Sequence, residues 1–258
     1  MPIAHTLYNI LRPVLPIRYR SPWGKRNTRA SICVVSATRL NEHDFWTLSH
    51  LGRSVKLPLL PKDLIFNIAF ENKLGLPEVY NKAIETSQAD IIIFVHDDVW
   101  LDDIHFGEKL CAALKTYDVI GIAGNTRCKE NQPSWFFIST DPKNGFVRDD
   151  MKYLSGSIHH GSPGASHISN FGPTPRKCKL IDGVFIAANR ETLVKQKVKF
   201  DTSFKFDFYD LDFCKESTKR GLSIGTWPIQ IIHKSAGNFG NPNWVSALDI
   251  YLKKWSKS

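Results

Sequence analysis

Residues Ile91 to Asp98, Ile-Ile-Ile-Phe-Val-His-Asp-Asp, run from five consecutive apolar side chains straight into three that bind hard cations. Five apolar residues without alternation fit a strand covered on both faces, the pattern of a largely parallel sheet with helices above and below. The chain must then leave the sheet at His96. In open α/β sheets ligands collect beyond the carboxyl ends of the strands, where loops diverge and leave a crevice. Asp97 and Asp98 repel each other and need a counterion. A divalent cation held by one or two carboxylates, with water and substrate phosphate completing its shell, meets that need. An Asp-Asp turn capping the next helix meets it without any ligand. Spacing alone leaves both readings open.

Upstream of this junction, Ser31 to Ala37 reads as a first buried strand, followed by the polar Thr38, Arg39 and Asn41. Leu64 to Phe70 is a second strand, ending at Glu71-Asn72. Gly75 to Gln88 follows as a helix with Val79, Ala83 and Ile84 on one face, and it feeds the strand at Ile91. Strand, helix, strand, helix, strand predicts a parallel sheet built from right-handed crossovers. Downstream, Ile104 to Thr116 reads as a helix and Val119 to Ala123 as another interior strand. Ser155 to Pro175 is rich in Gly, Pro and Ser and reads as a mobile loop, with His159, His160 and His167 as solvated loop histidines.

In Lys179 to Ala188 an Asp182-Gly183 pair interrupts a strand-like run. The glycine admits a close approach to the backbone and Asp182 can accept hydrogen bonds from hydroxyl groups; a bulge or tight turn is the alternative. Tyr209 to Arg220 fits a helix closed by Gly221, with Asp210 and Asp212 in its first turn. The helix dipole favours carboxylates there, so capping explains them. Yet Phe204, Phe206, Phe208 and Tyr209 build an apolar wall beside them, and partial desolvation raises a carboxylate's proton affinity and fits it for general-base work. Ile229 to Ile232 repeats the pattern at Ile91, an apolar run that ends in a ligand-type residue, His233.

The chain has 258 residues, 42% of them hydrophobic, enough for one large α/β domain over 31–258. No stretch approaches the roughly 18 to 20 apolar residues that span a bilayer, and the N-terminus has no signal-peptide pattern, so a soluble cytoplasmic protein is expected. Cys33, Cys111, Cys128, Cys178 and Cys214 are odd in number and scattered, which predicts reduced thiols and argues against a thiolate zinc site. The formal charge of +9 is concentrated: residues 1–30 carry six basic side chains, Arg12, Arg18, Arg20, Lys25, Arg26 and Arg29, and no acidic one. Interleaved with Leu7, Ile10, Leu11 and Val14, they can lie on an anionic membrane surface, each adding about 1 kcal/mol. Pro13 and Pro16 interrupt any regular helix, so an arm packed on the body is the alternative. No recognition motif or aromatic-basic stacking signature supports nucleic acid as a partner.

Taken in order, Glu78-Val-Tyr-Asn81-Lys-Ala-Ile84, Ile91 to Val99, Asp182-Gly183, Phe208 to Asp212 and Ile232-His233-Lys-Ser235 resemble the GT-A glycosyltransferases, in particular the family-two-like bacterial enzymes that build surface polysaccharides. The resemblance spans roughly Ser31 to Trp255 and lies in the ordered set. It implies a GT-A, Rossmann-like α/β fold: a mostly parallel central sheet flanked by helices, with a smaller acceptor-side region. The family's Asp-x-Asp motif maps onto His96-Asp97-Asp98, which makes Asp98 the ligand of a Mn²⁺ or Mg²⁺ ion on the donor diphosphate, with His96 in place of the first Asp. Imidazole beside carboxylate suits Mn²⁺ better than Mg²⁺. The acidic pair of the family's catalytic helix maps onto Tyr209-Asp210, which makes Asp210 the general base and Asp212 a reserve. His233 resembles a late histidine that contacts metal or phosphate. Ser36, Arg39, Glu71 and Asp97 fall where strand ends meet the nucleotide, and Asp182, Gly183 and Tyr209 fall on the sugar or acceptor side.

The resemblance thus implies an inverting, metal-dependent transfer from a nucleotide-diphosphate sugar to a glycan or lipid-linked acceptor at the inner membrane face, in cell-surface polysaccharide synthesis. Two alternatives stand beside it. The departures at His96 and Tyr209 suit a catalytically silent sugar-binding or scaffold protein of the same fold. A sugar nucleotidyltransferase would carry a Gly-rich phosphate loop after the first strand, and Ser36-Ala-Thr-Arg-Leu-Asn41 has no glycine.

Overall fold

A computed structural model describes residues 30–57, 60–141, 145–235, 237 and 239–256. The expected basic arm over 1–30, and with it the expected membrane contact, lies outside the described residues but for Ala30.

Two sheets form the framework. In the seven-stranded sheet, β1 (Ile32–Ala37) pairs in parallel with β2 (Leu64–Ala69) and with β3 (Ile91–Val95). Every residue of β3 is buried, as its unbroken apolar run requires. A smaller path of strands begins with β4 (Val99–Leu101), which follows β3 directly. The run from Val119 to Ala123 divides at Ile122: β5 (Val119–Gly121) belongs to the large sheet and β6 (Ala123–Asn125) to the small one. The strands β7 (Phe137–Asp141) and β8 (Gly145–Arg148) form a separate hairpin.

The stretch expected to be a mobile loop is the largest correction. It forms β9 (Leu154–Ser162) and β10 (Ala165–Gly172), an antiparallel hairpin whose first strand runs through the middle of the small sheet, and cis Pro175 lies just beyond it. Glycine here serves close packing. Gly156 has φ +95°, and a Cβ there would overlap the carbonyl oxygen of Ile122. The backbone of β9 is paired on both sides, so its ladder bonds hold a sequence of weak strand propensity.

After β11 (Arg176–Cys178) and β12 (Leu180–Ile181), the chain re-enters the large sheet as β13 (Phe185–Asn189). This strand is antiparallel to both β3 and β5. Together with β14 (Ile224–Thr226), the large sheet is therefore mixed, parallel at β1–β2, β1–β3 and β5–β14 and antiparallel elsewhere. An apolar run buried on both faces does not encode strand direction, which is why β13 is indistinguishable from a parallel strand in sequence. The last strand of the small sheet in chain order, β15 (Ile231–His233), is set between β9 and β4.

Helices cover the sheets. The first two, α1 (Glu42–Leu48) and α2 (His50–Ser54), share a junction at Ser49, whose hydroxyl caps the second. Next, α3 (Leu76–Thr86) starts with Pro77 in its first turn and buries Leu76, Val79, Tyr80, Ala83 and Ile84. The chain continues through α4 (Phe106–Thr116) and α5 (Arg190–Lys195) to α6 (Tyr209–Lys219) and α7 (Pro242–Trp255). Asn81 on α3 donates to the Phe200 carbonyl at 2.8 Å and accepts from its N–H at 2.9 Å, anchoring the segment that leads into α6. No helix among the described residues is long and apolar enough to cross a membrane.

Candidate active site

The chain changes sheets at His96–Asp98, between β3 and β4, and again at Asp182–Val184, between β12 and β13. Both crossings lie beside one another, because the His96 N–H donates to the Val184 carbonyl at 3.2 Å. A strand that leaves its sheet stops alternating its side chains between two packed faces, so polar groups can gather in the gap.

The first pole of the site gathers around Asp98. The antiparallel register of β15 on β4 sets His233 opposite Val99 and so beside Asp98. His233 Nε2 lies 3.2 Å from Asp98 Oδ1, while Oδ2 accepts from the Ser235 N–H at 3.2 Å. Ligand atoms of His96, Asp98 and His233 lie within 4.8 Å of one another, the one such group of three or more among the described residues. Burial pushes the Asp98 carboxyl up, but the hydrogen bond and charge of His233 outweigh it, and the carboxyl is held well below the usual range. Burial lowers His96, assisted by the charge of His233. Asp97 points elsewhere: it accepts the Thr38 hydroxyl at 2.6 Å, at the carboxyl end of β1.

The second pole is the start of α6. Phe208 adopts a left-handed conformation, φ 64°, uncommon outside glycine, and it turns the chain sharply into the helix. No side chain caps this end. Asp210 instead accepts from two backbone groups, Leu211 N–H on Oδ1 and Gly183 N–H on Oδ2, both at 2.9 Å. Asp182 is clamped nearby, Oδ2 by the Trp135 indole N–H and Oδ1 by the Val184 N–H, both at 2.8 Å. Burial, and next the charge of Asp182, push the Asp210 carboxyl up to about 7, against the pull of its N–H donors. A carboxyl balanced near neutrality can take a proton and hold it.

Tyr209 joins the two poles. Its hydroxyl donates to the Gly183 carbonyl at 2.8 Å and stands 3.0 Å from His96 Nε2. Gly183 has to be glycine, since a Cβ would sit 2.5 Å from the Tyr209 hydroxyl and 2.9 Å from the Asp210 Cβ.

A sequence pattern described as a glycosyltransferase-like family matches residues 56–249 and so takes in both poles. The chain belongs to this glycosyltransferase-like family. No curated protein matches it in sequence. Among solved structures, GalNAc-T7 with UDP, GalNAc and Mn²⁺ is 11% identical over 87% of this chain and 48% of its own, with a TM-score of 0.52. The mannosyltransferase PcManGT from Pyrobaculum calidifontis, in complex with GDP-Man and Mn²⁺, is 13% identical over 87% of this chain and 63% of its own, at a TM-score of 0.48. S. aureus TarS 1-349 is 11% identical over 79% of this chain and 60% of its own, at 0.42. This chain therefore spans less than two thirds of each of these structures, and the likeness to GalNAc-T7 shows a shared glycosyltransferase fold of the GT-A kind.

Within this glycosyltransferase-like chain, Asp212 and Ser36 stand elsewhere than expected. Asp212, expected as a reserve base, is 1% exposed on the far side of α6, bound by Trp255 and Lys254. Side chains two apart on a helix do not share a face, which separates it from Asp210. Ser36 is wholly buried with no partner for its hydroxyl, so it presents no surface to a nucleotide. Arg39 and Glu71 are exposed on adjacent loops, joined by the Glu71 N–H to the Leu40 carbonyl at 2.9 Å. Trp244 packs on Phe208 and Phe146 as core.

Other residues gain a place that the sequence does not reveal. Thr38 is recognisable only as a polar residue at a strand end, and Trp135 lies in a segment without any signal. Phe206, expected in an apolar wall, is 59% exposed with its ring 5.5 Å from that of His96. His160, expected in a solvated loop, is the β9 register partner of His233, with ring centroids 6.2 Å apart.

Proposed function

We propose that this chain is a metal-dependent, inverting glycosyltransferase that moves a sugar from a nucleotide-diphosphate sugar to a hydroxyl of a glycan or lipid-linked acceptor, in the making of cell-surface polysaccharide. One observation carries the reading: a His-Asp-His ligand group is joined, through the 3.0 Å contact of His96 with Tyr209, to a carboxyl balanced near neutrality. The three side chains fit a divalent cation, since Asp98 is held ionised and mixed nitrogen and oxygen donors favour Mn²⁺ over Mg²⁺. The GT-A-fold neighbour GalNAc-T7 was solved with UDP, GalNAc and Mn²⁺. Asp98, His233 and His96 would hold the cation, which would supply positive charge to offset the negative charge developing on a departing diphosphate.

The chain's own residues supply the rest. Asp97, fixed by Thr38, and the exposed Arg39 and Glu71 lie at the ends of the first strands and contact the nucleotide in this reading. Asp210 removes the proton of the acceptor hydroxyl as its oxygen attacks the anomeric carbon opposite the leaving group, which inverts that carbon in one displacement. The Gly183 and Leu211 N–H groups keep the carboxylate aimed.

The test is release of nucleoside diphosphate from a panel of sugar nucleotides by the purified protein with Mn²⁺. Asp210→Asn lowers the rate about 10²- to 10⁴-fold, and Asp98→Ala removes the dependence on Mn²⁺. NMR of the product shows an inverted anomeric centre. Retained configuration, or turnover untouched by both substitutions, refutes the proposal.

A further inference from the structure

We infer that Tyr209 fixes the tautomer of His96 and so presents Nδ1, not Nε2, to the ligand group formed with Asp98 and His233; the inference rests on the metal-site reading above. A phenol has one proton to give, and the Tyr209 hydroxyl gives it to the Gly183 carbonyl at 2.8 Å. Toward His96 Nε2, at 3.0 Å, the phenolic oxygen can only accept. Nε2 therefore carries the imidazole proton, and the lone pair is left on Nδ1. The geometry that sets this up is tight. Tyr209 is 2% exposed, and the absence of a Cβ at Gly183 is what lets its hydroxyl reach the carbonyl.

The ring is constrained on other sides too. The His96 backbone is pinned to Val184 at 3.2 Å, and Phe206 lies against the imidazole at 5.5 Å between centroids and 30° between planes. A partner that holds the second nitrogen of a ligating histidine fixes its orientation and raises its basicity, and removing one typically weakens metal affinity about 10- to 100-fold. Tyr209 is thus a positioning residue for His96, and it belongs to the same helical turn as Asp210. The base and the ligand group are set by adjacent residues.

Two measurements test this. In wild-type protein, long-range ¹H–¹⁵N correlation spectra should show His96 protonated at Nε2 and bare at Nδ1; the opposite tautomer overturns the inference and needs no variant to do so. Mn²⁺ titration followed by electron paramagnetic resonance should then show the dissociation constant of Tyr209→Phe raised about 10- to 100-fold, with thermal melting confirming an intact fold. His96→Ala combined with Tyr209→Phe should bind no more weakly than His96→Ala alone, because the tyrosine acts only through the imidazole. Affinity of Tyr209→Phe within twofold of wild type, or additive losses in the double variant, overturns the inference while leaving the metal site standing. Wild-type protein that fails to bind Mn²⁺ removes the metal site and the inference together.

Discussion

Asp182 accepts two hydrogen bonds from groups that cannot turn away, the Trp135 indole and the Val184 N–H, and so its charge stays directed at Asp210. Burial is the larger reason that Asp210 titrates at about 7, and the Asp182 charge is the next. Asp182→Asn keeps the shape of the side chain and one of its acceptors while removing that charge. A general base works when ionised, so activity appears as pH rises through its pKa. Without the repulsion the ionised form is easier to reach, and the acid limb of kcat/KM moves from about pH 7 toward the ordinary carboxylate range. The move is partial, because the burial remains. The rate on the plateau falls modestly as the base weakens. A pH–rate profile of the variant measures this, and an acid limb left in place would assign the raised pKa of Asp210 to burial alone.

At the level of elements, β9 shows how a strand can be built against its own composition. It lies between β10 on one side and β6 and β15 on the other, and Gly156 sits where the chain passes closest to Ile122. Gly156→Ala places a methyl group against a carbonyl at a φ of +95°, which alanine adopts only with strain. Overpacking of this kind costs about 1–3 kcal/mol, so the midpoint of chemical denaturation should fall by that equivalent; an unchanged midpoint would mean that β6 and β9 can part without loss. The same element marks the boundary of what the sequence discloses. At β3 and β15 the apolar run and the terminal ligand-type residue are contiguous, so both the strand and the candidate site residue are visible in Ile91 to Asp98 and Ile229 to His233. At β9 the strand is defined by backbone partners far away in the chain, and Gly, Ser and His read as loop. The start of α6 is visible from its acids and its end from Gly221, but the pairing of Trp135 with Asp182 and of Thr38 with Asp97 depends on which strands become neighbours. Helical spacing puts Asp210 and Asp212 on different faces but does not tell which of them faces the site until α7 is in place to claim one.

For the whole molecule, that claim ties the C-terminal helix to the helix that carries Asp210. Lys254 Nζ bridges Asp212 and Asp201 at 2.7 Å each, and the Trp255 indole N–H donates to Asp212 at 2.8 Å. Asp201 opens the segment that runs into α6, so α7 grips both the helix bearing Asp210 and its approach. Asp212 is nearly sealed from solvent, and burial raises its pKa against the pull of Lys254 and Trp255. Trp255→Phe keeps much of the ring but removes one donor from a buried carboxylate, which costs about 1–3 kcal/mol at neutral pH. The sign of its pH dependence separates this loss from mere loss of ring area. With one donor gone, the folded-state pKa of Asp212 rises further above its unfolded value, so the penalty applies to the ionised form and grows as pH rises through that pKa. Below the unfolded pKa the carboxyl is protonated in both states and the penalty disappears. Denaturant unfolding of variant and parent should therefore diverge at neutral pH and converge in acid. A difference that is the same at every pH would assign the effect to packing of the indole against Lys215 and Lys254, with Lys254 alone sufficient to hold Asp212.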